Sequence, residues 1–426
     1  MTTSTPKGSA STYRYPLSLF EGFGLEIEYM IVDRESLDVR PVADELFRRA
    51  AGGQSPSSFV PPDSDGLMGW TNELALHVLE FKTNRPTPTL EGMAQRFQEQ
   101  VQAAEQLLEP LQCRLLPTGM HPWMNPDAET RLWPHECNEI YATYDRIFGC
   151  RGHGWGNLQS THINLPFGDD EQFGRLHAAV RLVLPMLPAL AASSPVVDGK
   201  WSPIADYRLE VYRTNSRRVP LMAGAVIPEP VFTRAEYERD ILGRLYEALA
   251  PLDPEGILRH EWANARGCIA RFDRGSIEIR VLDTQECPLA DMAITALIVR
   301  LIEAMVQERW LTFEQQKAVH NEPLQRVFYD TTRYAERARI SERALLASVG
   351  ISRSLTWAGD VWMHLLDELV PDHPVWSPVL RQMLAAGTLS TRISRLIRRY
   401  PSRADLHAIY SELADCLRTG SLFGVD

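Results

Sequence analysis

The chain has 426 residues, of which 44% are hydrophobic and 23% charged, with 10 Trp, 13 Tyr and 14 Phe. This composition is typical of a globular protein with a large core, and it excludes a disordered chain and a small disulfide-stapled or metal-nucleated scaffold. The 55 acidic residues outnumber the 44 Lys and Arg, for a net charge of −11. A general nucleic-acid binder is excluded because it needs a cationic surface.

The first part of the chain contains stretches that alternate polar and apolar residues, the pattern of β-strands. Strands are predicted over residues 23–33, 74–83, 160–167 and 268–283, and the last of these is a hairpin that turns at residues 273–276. Helices are predicted between them. Thr89 caps an amphipathic helix that ends near Leu108, and a second helix covers residues 171–192.

A long helix follows residue 283, and after about residue 310 nearly all the sequence has a helical period. Helices are predicted over residues 288–307, 314–321, 341–348, 362–369, 378–386, 388–400 and 403–418. We therefore expect an α+β catalytic core over residues 13–310 and a helical carboxy-terminal region over residues 311–426 that packs on it.

The longest charge-free apolar run covers residues 182–197 and contains three prolines, so it is too short and too broken to span a bilayer. Residues 1–12 are polar and lack the apolar stretch of a signal peptide, and the six cysteines include no CxxC pair. These features predict a cytoplasmic protein with reduced thiols, a frayed tail over residues 1–12, and neither a membrane nor a nucleic acid as partner.

Three of the predicted strands place two polar residues on one face with an Ile on the other. They are Glu26-Ile27-Glu28, His162-Ile163-Asn164 and Glu278-Ile279-Arg280. Glu80 lies on a fourth strand and Glu73 seven positions before it. Residues seven apart lie on opposite faces of a regular strand, so a bend or bulge must separate these two if both face one site.

Carboxylates gathered on one sheet face repel one another unless cations neutralise them. Carboxylate oxygens are the ligands that Mg²⁺ prefers, and Mg²⁺ in turn usually bridges protein to nucleotide phosphates. The pattern therefore predicts a divalent-cation site on this face. The alternative for each Glu taken singly is a solvated strand residue, which the repeated pattern disfavours.

A segment rich in arginine, with Arg208, Arg213, Arg217 and Arg218, is predicted as a loop that could bind a carboxylate or phosphates through bidentate hydrogen bonds. A solvated basic loop is the alternative. The sequence has no GxxxxGK[ST], GxGxxG or GxSxG motif, so an ATP site here would be neither a P-loop nor a Rossmann site.

Six segments occur in the order found in the glutamate-cysteine ligases of the second bacterial family, which includes the carboxylate-amine ligases. They are FGLEIEYMIVD, ELALHVLEFKT, PTGMHPW, STHINLPF, LAASSPVVDGK and RFDRGSIEIRVLD. The resemblance implies the fold of the glutamine synthetase and guanidino kinase catalytic domains. That fold is a curved antiparallel sheet, flanked by helices, that binds ATP and two or three Mg²⁺ ions, for which Mn²⁺ can substitute.

Carried over by position, the resemblance implies roles for individual residues. Metal ligands would be Glu26, Glu28, Glu73, Glu80, His162 and Glu278. The residues that bind the substrates or the nucleotide would be Asn164, Arg208, Arg213 and Arg280. Arg280 resembles the arginine that meets the transferring phosphoryl group, and with Glu278 it would be catalytic. Arg208 resembles one that holds the acid substrate.

The implied reaction has two steps: a carboxylate attacks the γ-phosphorus of ATP to give an acyl phosphate, and an amine then displaces phosphate to give an amide. Glutamate is the expected acid and a γ-glutamyl amide, such as γ-glutamylcysteine, the expected product. The sequence leaves open the amine and whether chains form a homo-oligomer.

Three alternatives remain at this point. A phosphotransferase of the guanidino kinase type would stop at the phosphorylated substrate. A non-catalytic binding protein would keep the fold but would not need the metal ligands. A zinc hydrolase would use His135, Cys137, Cys150 and His153, residues that stand among aromatic side chains and are more typical of core or surface there.

Overall fold

The computed structural model describes residues 13–53, 58–61, 65–397 and 400–425. Its strands are β1 Gly24–Asp33, β2 Ser58–Phe59, β3 Met68–Asn72, β4 Val78–Thr83, β5 Cys113–Leu116, β6 Ser160–Pro166, β7 Val196–Val197, β8 Lys200–Trp201, β9 Cys268–Arg271, β10 Ser276–Asp283, β11 Arg339–Ile340 and β12 Thr356–Trp357. The expected tail over residues 1–12 lies outside the described residues.

The α-helices of the described chain are α1 Ala43–Ala50, α2 Met93–Leu108, α3 Pro126–Glu129, α4 Asn138–Phe148, α5 His153–Gly156, α6 Asp170–Val183, α7 Pro188–Ala191, α8 Tyr207–Asn215, α9 Arg234–Tyr237, α10 Arg244–Leu249, α11 Pro288–Val306, α12 Phe313–Lys317, α13 Asn321–Tyr334, α14 Arg343–Ala347, α15 Ala358–Leu369, α16 Trp376–Ala386, α17 Leu389–Leu396 and α18 Arg403–Thr419. Short 3-10 turns cover Glu109–Leu111, Leu184–Met186, Glu261–Ala263 and Ala335–Arg337, and a π-helical turn covers Glu238–Gly243.

The centre of the fold is an eight-stranded sheet with the strand order β2-β3-β4-β1-β6-β10-β9, and β5 pairs with the far end of β1. The pairs in this sheet are antiparallel. The α+β class, with an antiparallel sheet flanked by helices, is therefore confirmed. The predicted hairpin is also present as β9 and β10, and Gly275 supplies the positive φ of +68° that its turn requires.

One face of the sheet is apolar, as the alternation predicted, and belongs to the main core. Leu25, Ile27 and Ile163 are completely buried on this face, together with Ile277 and Ile279. The residues between them in sequence point to the opposite, polar face. Helices α2 and α6 both pack on the long helix α11, and buried residues of all three helices belong to the same core cluster as this apolar face.

The boundaries of some predicted elements differ in the structure. Residues 74–77 do not continue a strand: β3 ends at Asn72 and β4 begins at Val78, so a turn separates Glu73 from Glu80. The helix predicted over residues 171–192 is divided into α6, a 3-10 turn and α7, because Pro185 and Pro188 interrupt it. Helix α2 begins after Gly92, so Thr89 is not its cap.

The arginine-rich segment was wrongly predicted as a loop. Most of it is helix α8, which begins after Asp206, whose side chain accepts a hydrogen bond from the Leu209 amide at 2.9 Å. Helix α13 was not predicted, and its Pro323 stands in the first turn, where a proline is tolerated.

The carboxy-terminal helices make specific contacts with the rest of the protein. Gln98 of α2 donates a hydrogen bond to the Leu417 carbonyl of α18 at 2.9 Å, and Arg114 pairs with Asp415 at 2.9 Å. Arg392 forms a completely buried ion pair with Glu286. The division at residue 310 stays a prediction. No helix in the described part of the chain has the length and apolar character needed to cross a membrane.

Candidate active site

The strand register places the predicted acidic residues on one face of the sheet. Glu26 of β1 lies opposite His162 of β6, and Glu28 lies opposite Glu80 of β4. Glu278 of β10 lies opposite Asn164, the other polar residue of β6. Directly opposed residues of antiparallel strands share a face, so three separate sequence motifs meet at one surface.

These side chains form two groups with the spacing of metal ligands. Glu26, Glu80 and His162 each offer one ligand atom within 4.8 Å of the others, and so do Glu28, Glu73 and Glu80. Glu80 belongs to both groups. Glu73 reaches the cluster from the turn before β4, which supplies the bend that its spacing from Glu80 required.

A chain of hydrogen bonds holds the ligands in place. Nδ1 of His162 lies 2.8 Å from Glu26, and its Nε2 lies 2.8 Å from the Ser160 hydroxyl. Glu28 accepts hydrogen bonds from the Ser160 amide at 2.7 Å and from its hydroxyl at 3.1 Å. Glu80 accepts one from Thr71 at 2.5 Å. The roles of Ser160 and Thr71 were missed, because a hydroxyl on a strand gives no signal of its partner.

Burial and neighbouring charges shift the pKa values of these groups in different directions. Burial opposes ionisation of Glu26, but the hydrogen bond and charge of His162 lower its pKa to about 2. Burial also works against the charged form of His162, and Glu26 nevertheless raises its pKa to about 9. Burial and the charges of Glu28 and Glu26 raise the pKa of Glu73 to about 8.

The same causes, burial and the charges of Glu26 and Glu73, raise the pKa of Glu80 well above its ordinary value. Carboxylates held this close take up protons when no cation is bound. Oxygen donors with one imidazole suit Mg²⁺ or Mn²⁺. The residues present therefore fit the divalent cations that the sequence predicted.

Glu278 stands beside the two ligand groups rather than in them. Its carboxylate lies 3.5 Å from Arg271 and 3.3 Å from Arg280. Glu278 and Arg280 thus adjoin on the polar face as predicted, whereas Arg271 was missed. Their catalytic roles stay predictions, as does the role of Glu278 as a metal ligand. Asn164 donates a hydrogen bond to Glu26 at 3.3 Å.

The two arginines expected at the substrate lie in different surroundings. Arg208 is buried, donates from Nε to the buried Asp283, and directs its other nitrogens to the Arg280 carbonyl at 3.4 and 3.5 Å. It thereby supports the strand that carries Arg280. Arg213 lies farther along α8, where it pairs with Glu210 at 2.6 Å and stacks over Tyr329. The substrate-binding roles assigned to both stay predictions.

Two cavities border the carboxylate cluster. The Tyr15 cavity, of about 570 Å³, is lined by Tyr15, Glu26, Lys82, Asn164 and Arg274 among others. The Tyr212 cavity, of about 450 Å³, is lined by Glu28, Glu73, Tyr144, Trp155, Tyr212 and Arg280 among others. Both volumes lie in the range of small-molecule sites, about 300–1,000 Å³. Because Glu26 faces one cavity and Glu28 the other, the cluster is accessible from both.

The four residues considered for zinc have other partners or surroundings. His135 pairs with Asp44 at 3.0 Å and His153 with Asp198 at 3.1 Å. Cys150 is buried, and burial raises the pKa of its thiol. Across the described residues, the groups with metal-ligand spacing are the two on the sheet. The geometry therefore favours the sheet face over a zinc centre.

Comparison with known proteins agrees with this architecture. The chain is 37% identical over 286 residues to an uncharacterized protein of Archaeoglobus fulgidus, a match that covers 67% of this chain and 75% of that one. A bifunctional glutathione synthetase from Pasteurella multocida superposes with a TM-score of 0.54 at 16% identity, over 94% of this chain and 52% of the other, so the chain spans about half of that protein.

The glutamate-cysteine ligase of Francisella tularensis, solved in complex with AMP, superposes with a TM-score of 0.53 at 15% identity over 96% of this chain and 90% of that one. These likenesses show that the chain shares the fold of these two ligases. The model of glutamate-cysteine ligase family 2 matches residues 22–373. The chain belongs to glutamate-cysteine ligase family 2 and is an ATP-dependent carbon–nitrogen ligase.

Proposed function

We propose that this protein joins the γ-carboxylate of glutamate to an amine as an amide, at the expense of ATP and through an acyl phosphate. The observation that carries the proposal is the pair of ligand groups that share Glu80 and border two cavities. A ligase of this kind must bring a nucleotide and a carboxylate together at bound cations, and then admit an amine. Two cavities that meet at one carboxylate cluster suit that sequence of events.

The Tyr15 cavity is proposed to bind ATP. Tyr15, Leu17 and Pro86 offer apolar surface to a base, while Lys82 and Arg274 offer positive charge to phosphates. The Lys82 ammonium lies 3.7 Å from Glu80, so the cationic side of this cavity adjoins the ligand groups. The γ-phosphate would then lie toward the Tyr212 cavity, where the two small-molecule substrates are proposed to bind.

The two ligand groups would hold divalent cations. Glu26, Glu80 and His162 would hold one ion and Glu28, Glu73 and Glu80 another, with Glu80 as the shared ligand. When bound, Mg²⁺ neutralises charge on the phosphates and makes the γ-phosphorus more electrophilic. The His162–Glu26 hydrogen bond fixes the imidazole, so that its orientation is set before a ligand enters.

The first step forms a bond between a glutamate carboxylate oxygen and the γ-phosphorus, while the bond from that phosphorus to the β,γ-bridging oxygen breaks and its electron pair leaves on ADP. In the second step the amine nitrogen bonds to the acyl carbon. The bond from that carbon to the phosphate oxygen breaks, and phosphate leaves with the electron pair. An ammonium substrate releases one proton to solvent before attack and one after it.

Neither step needs a nucleophile from the protein. Arg280 lines the Tyr212 cavity beside Glu278, and we assign its guanidinium to the charge that develops on the transferring phosphoryl group. Glu278 and the Arg208-supported strand hold that guanidinium in position. Catalysis would then come from orientation and from neutralised charge.

The experiment that tests this function measures ADP release from ATP and Mg²⁺ with glutamate and a panel of amines, and identifies the products by mass. Glutamate whose γ-carboxylate oxygens are both ¹⁸O should transfer one ¹⁸O to inorganic phosphate. Phosphorylated product without an amide would indicate a phosphotransferase instead. Binding of ATP without turnover for any acid and amine would indicate a binding protein.

A further inference from the structure

The Tyr212 cavity has a wall of aromatic side chains that the reaction itself does not require. The ring of Tyr144 lies 5.2 Å from that of Trp155 and 6.1 Å from that of Trp262, and all three rings line the cavity. Tyr141 adds a fourth ring beside Glu73. A wall of this kind is suited to a large flat apolar group.

The aromatic wall is held in place before any ligand binds. The Trp155 indole donates a hydrogen bond to the Asn215 carbonyl at 3.2 Å, and Tyr141 accepts one from Asn72 at 3.0 Å. Trp262 stacks on His260 with ring centroids 5.4 Å apart. Because the rings are fixed by these contacts, they form a preorganised surface rather than a collapsed cluster.

Tyr212 places one polar group in the same cavity. Its side chain is 8% exposed, and its hydroxyl has no hydrogen-bond partner within the described residues. Burial raises the pKa of this hydroxyl, the charges of Arg280 and Arg208 act to lower it, and those of Glu278 and Glu28 act to raise it, so the phenol keeps its proton. A buried phenol without a partner is a ready donor to a carboxylate.

The same cavity also carries carboxylates. Glu28 and Glu73 line it and belong to the cluster where the acyl phosphate would form. An amine at this end of the cavity would have its nitrogen near the acyl carbon. The cavity therefore presents three kinds of group to a ligand: an aromatic wall, the carboxylates of the cluster, and a phenol without a partner.

We propose that the amine substrate is an aromatic amino acid, with its side chain against Tyr144, Trp155 and Trp262, its carboxylate on the Tyr212 hydroxyl, and its α-amine toward Glu28 and Glu73. This inference rests on the proposed function. The bond formed joins the α-nitrogen to the acyl carbon, and the acyl carbon–oxygen bond breaks as phosphate leaves with its electron pair. Two protons pass from the ammonium to solvent.

A small acceptor such as alanine or cysteine would leave most of the aromatic wall uncovered. One methylene in an apolar pocket changes kcat/KM by about 10–200-fold, so a whole aromatic ring should discriminate at least as strongly. We expect phenylalanine to exceed alanine in kcat/KM by about a hundredfold or more, and to exceed cysteine as well.

The test measures amide formation with ATP, Mg²⁺ and glutamate, using phenylalanine, cysteine, alanine and phenethylamine as acceptors. Phenethylamine keeps the ring and the amine of phenylalanine but lacks the carboxylate. Tyr212→Phe should raise the KM for phenylalanine about tenfold and leave that for phenethylamine nearly unchanged. Tyr410→Phe is the matched control, because Tyr410 also has a buried hydroxyl without a partner but lies in the separate carboxy-terminal core cluster.

A binding measurement separates this inference from the proposed function. Phenylalanine is titrated calorimetrically into the protein in the presence of ADP and Mg²⁺. It should bind more tightly than alanine, and Tyr212→Phe should weaken its binding. Such binding without any amide product would support the subsite and contradict the ligase reaction with glutamate. Two results would overturn the inference. One is amide formation that favours cysteine or alanine over phenylalanine, and the other is a protein that neither binds phenylalanine nor forms its amide.

Discussion

Glu28 and Glu80 lie directly opposite each other on adjacent antiparallel strands, both buried and both on the polar face of the sheet. Like charges in this position destabilise a sheet. Thr71 satisfies one oxygen of Glu80, but Glu26 and Glu73 add further negative charge around it. Burial, together with the charges of Glu26 and Glu73, therefore raises the pKa of Glu80, and the metal-free cluster is stabilised by taking up protons.

Glu80→Gln should therefore cost the metal-free protein little or no stability, because the amide resembles the protonated carboxyl and still accepts the Thr71 hydrogen bond. Turnover should fall by about two orders of magnitude or more, since both ligand groups lose their shared member. Thermal melting with and without Mg²⁺ checks this. Mg²⁺ should raise the melting temperature of the wild type and leave that of the variant unchanged.

Glu314→Gln provides the control for that experiment. Its side chain lies on α12, is 77% exposed and belongs to neither ligand group, so Mg²⁺ should stabilise this variant as it does the wild type. A Glu80→Gln protein that is stabilised equally by Mg²⁺ would contradict the shared-ligand assignment.

Glu26→Gln should behave differently from Glu80→Gln. Glu26 is ionised and pairs with the buried His162 at 2.8 Å, so its loss removes a charge-assisted hydrogen bond. We expect the free energy of unfolding without metal to fall by about 1–3 kcal/mol. Urea denaturation in excess chelator measures it. Glu91→Gln, which removes the carboxylate of the exposed His373–Glu91 pair, should cost less than about 0.5 kcal/mol.

The polar face could be predicted from the sequence because strand alternation is local: Glu26 and Glu28, or Glu278 and Arg280, fix their own face by being two residues apart. The alternation of polar and apolar residues does not indicate which residue each side chain contacts. Arg208 and Asp283 are 75 residues apart, and no pattern in the sequence near Arg208 indicates that Asp283 neutralises its charge.

Residues far from the alternating strands were harder still to place. The aromatic wall comes from α4, α5 and the turn at Glu261–Ala263, three segments that meet only in the folded chain. Helix α8 was hidden because its many charged residues leave no clear apolar period. The proposed Tyr212 contact depends on a missing partner, which no sequence pattern encodes.

Asp291 of α11 predicts a pH dependence of stability. Burial raises its pKa from 3.8 to about 7, although Thr161 donates to it at 2.7 Å and the Gln285 amide at 3.1 Å. The folded protein therefore holds this proton where the unfolded chain has released it. Its contribution to stability is complete below pH 3.8 and is lost as the pH rises through about 7.

Asp291→Asn should remove this dependence. The free energy of unfolding of the variant relative to the wild type should increase by about 2 kcal/mol between pH 5 and pH 8, measured by urea denaturation at each pH. The difference cancels the titration of all groups the two proteins share. A constant difference across this range would show that Asp291 is ionised in the folded protein.

Arg280→Lys should separate binding from chemistry. Lysine keeps the charge but loses the planar guanidinium, so an interaction made mainly in the transition state should weaken. We expect kcat to fall by about tenfold to a thousandfold with little change in the Kd of ATP. A variant with weakened ATP binding and normal kcat would instead make Arg280 a ground-state anchor. Arg239→Lys is the comparison, as Arg239 is 66% exposed and pairs with Asp240 at 2.6 Å.

The affinity for ATP with and without metal tests whether this carboxylate face binds nucleotide through divalent cations. Calorimetric titration of ATP into the protein, once with excess Mg²⁺ and once with excess chelator, gives the two dissociation constants. We expect the chelator to weaken binding by about a hundredfold or more, because it removes the cations that would join the carboxylates to the phosphates. Equal affinity in both titrations would contradict it.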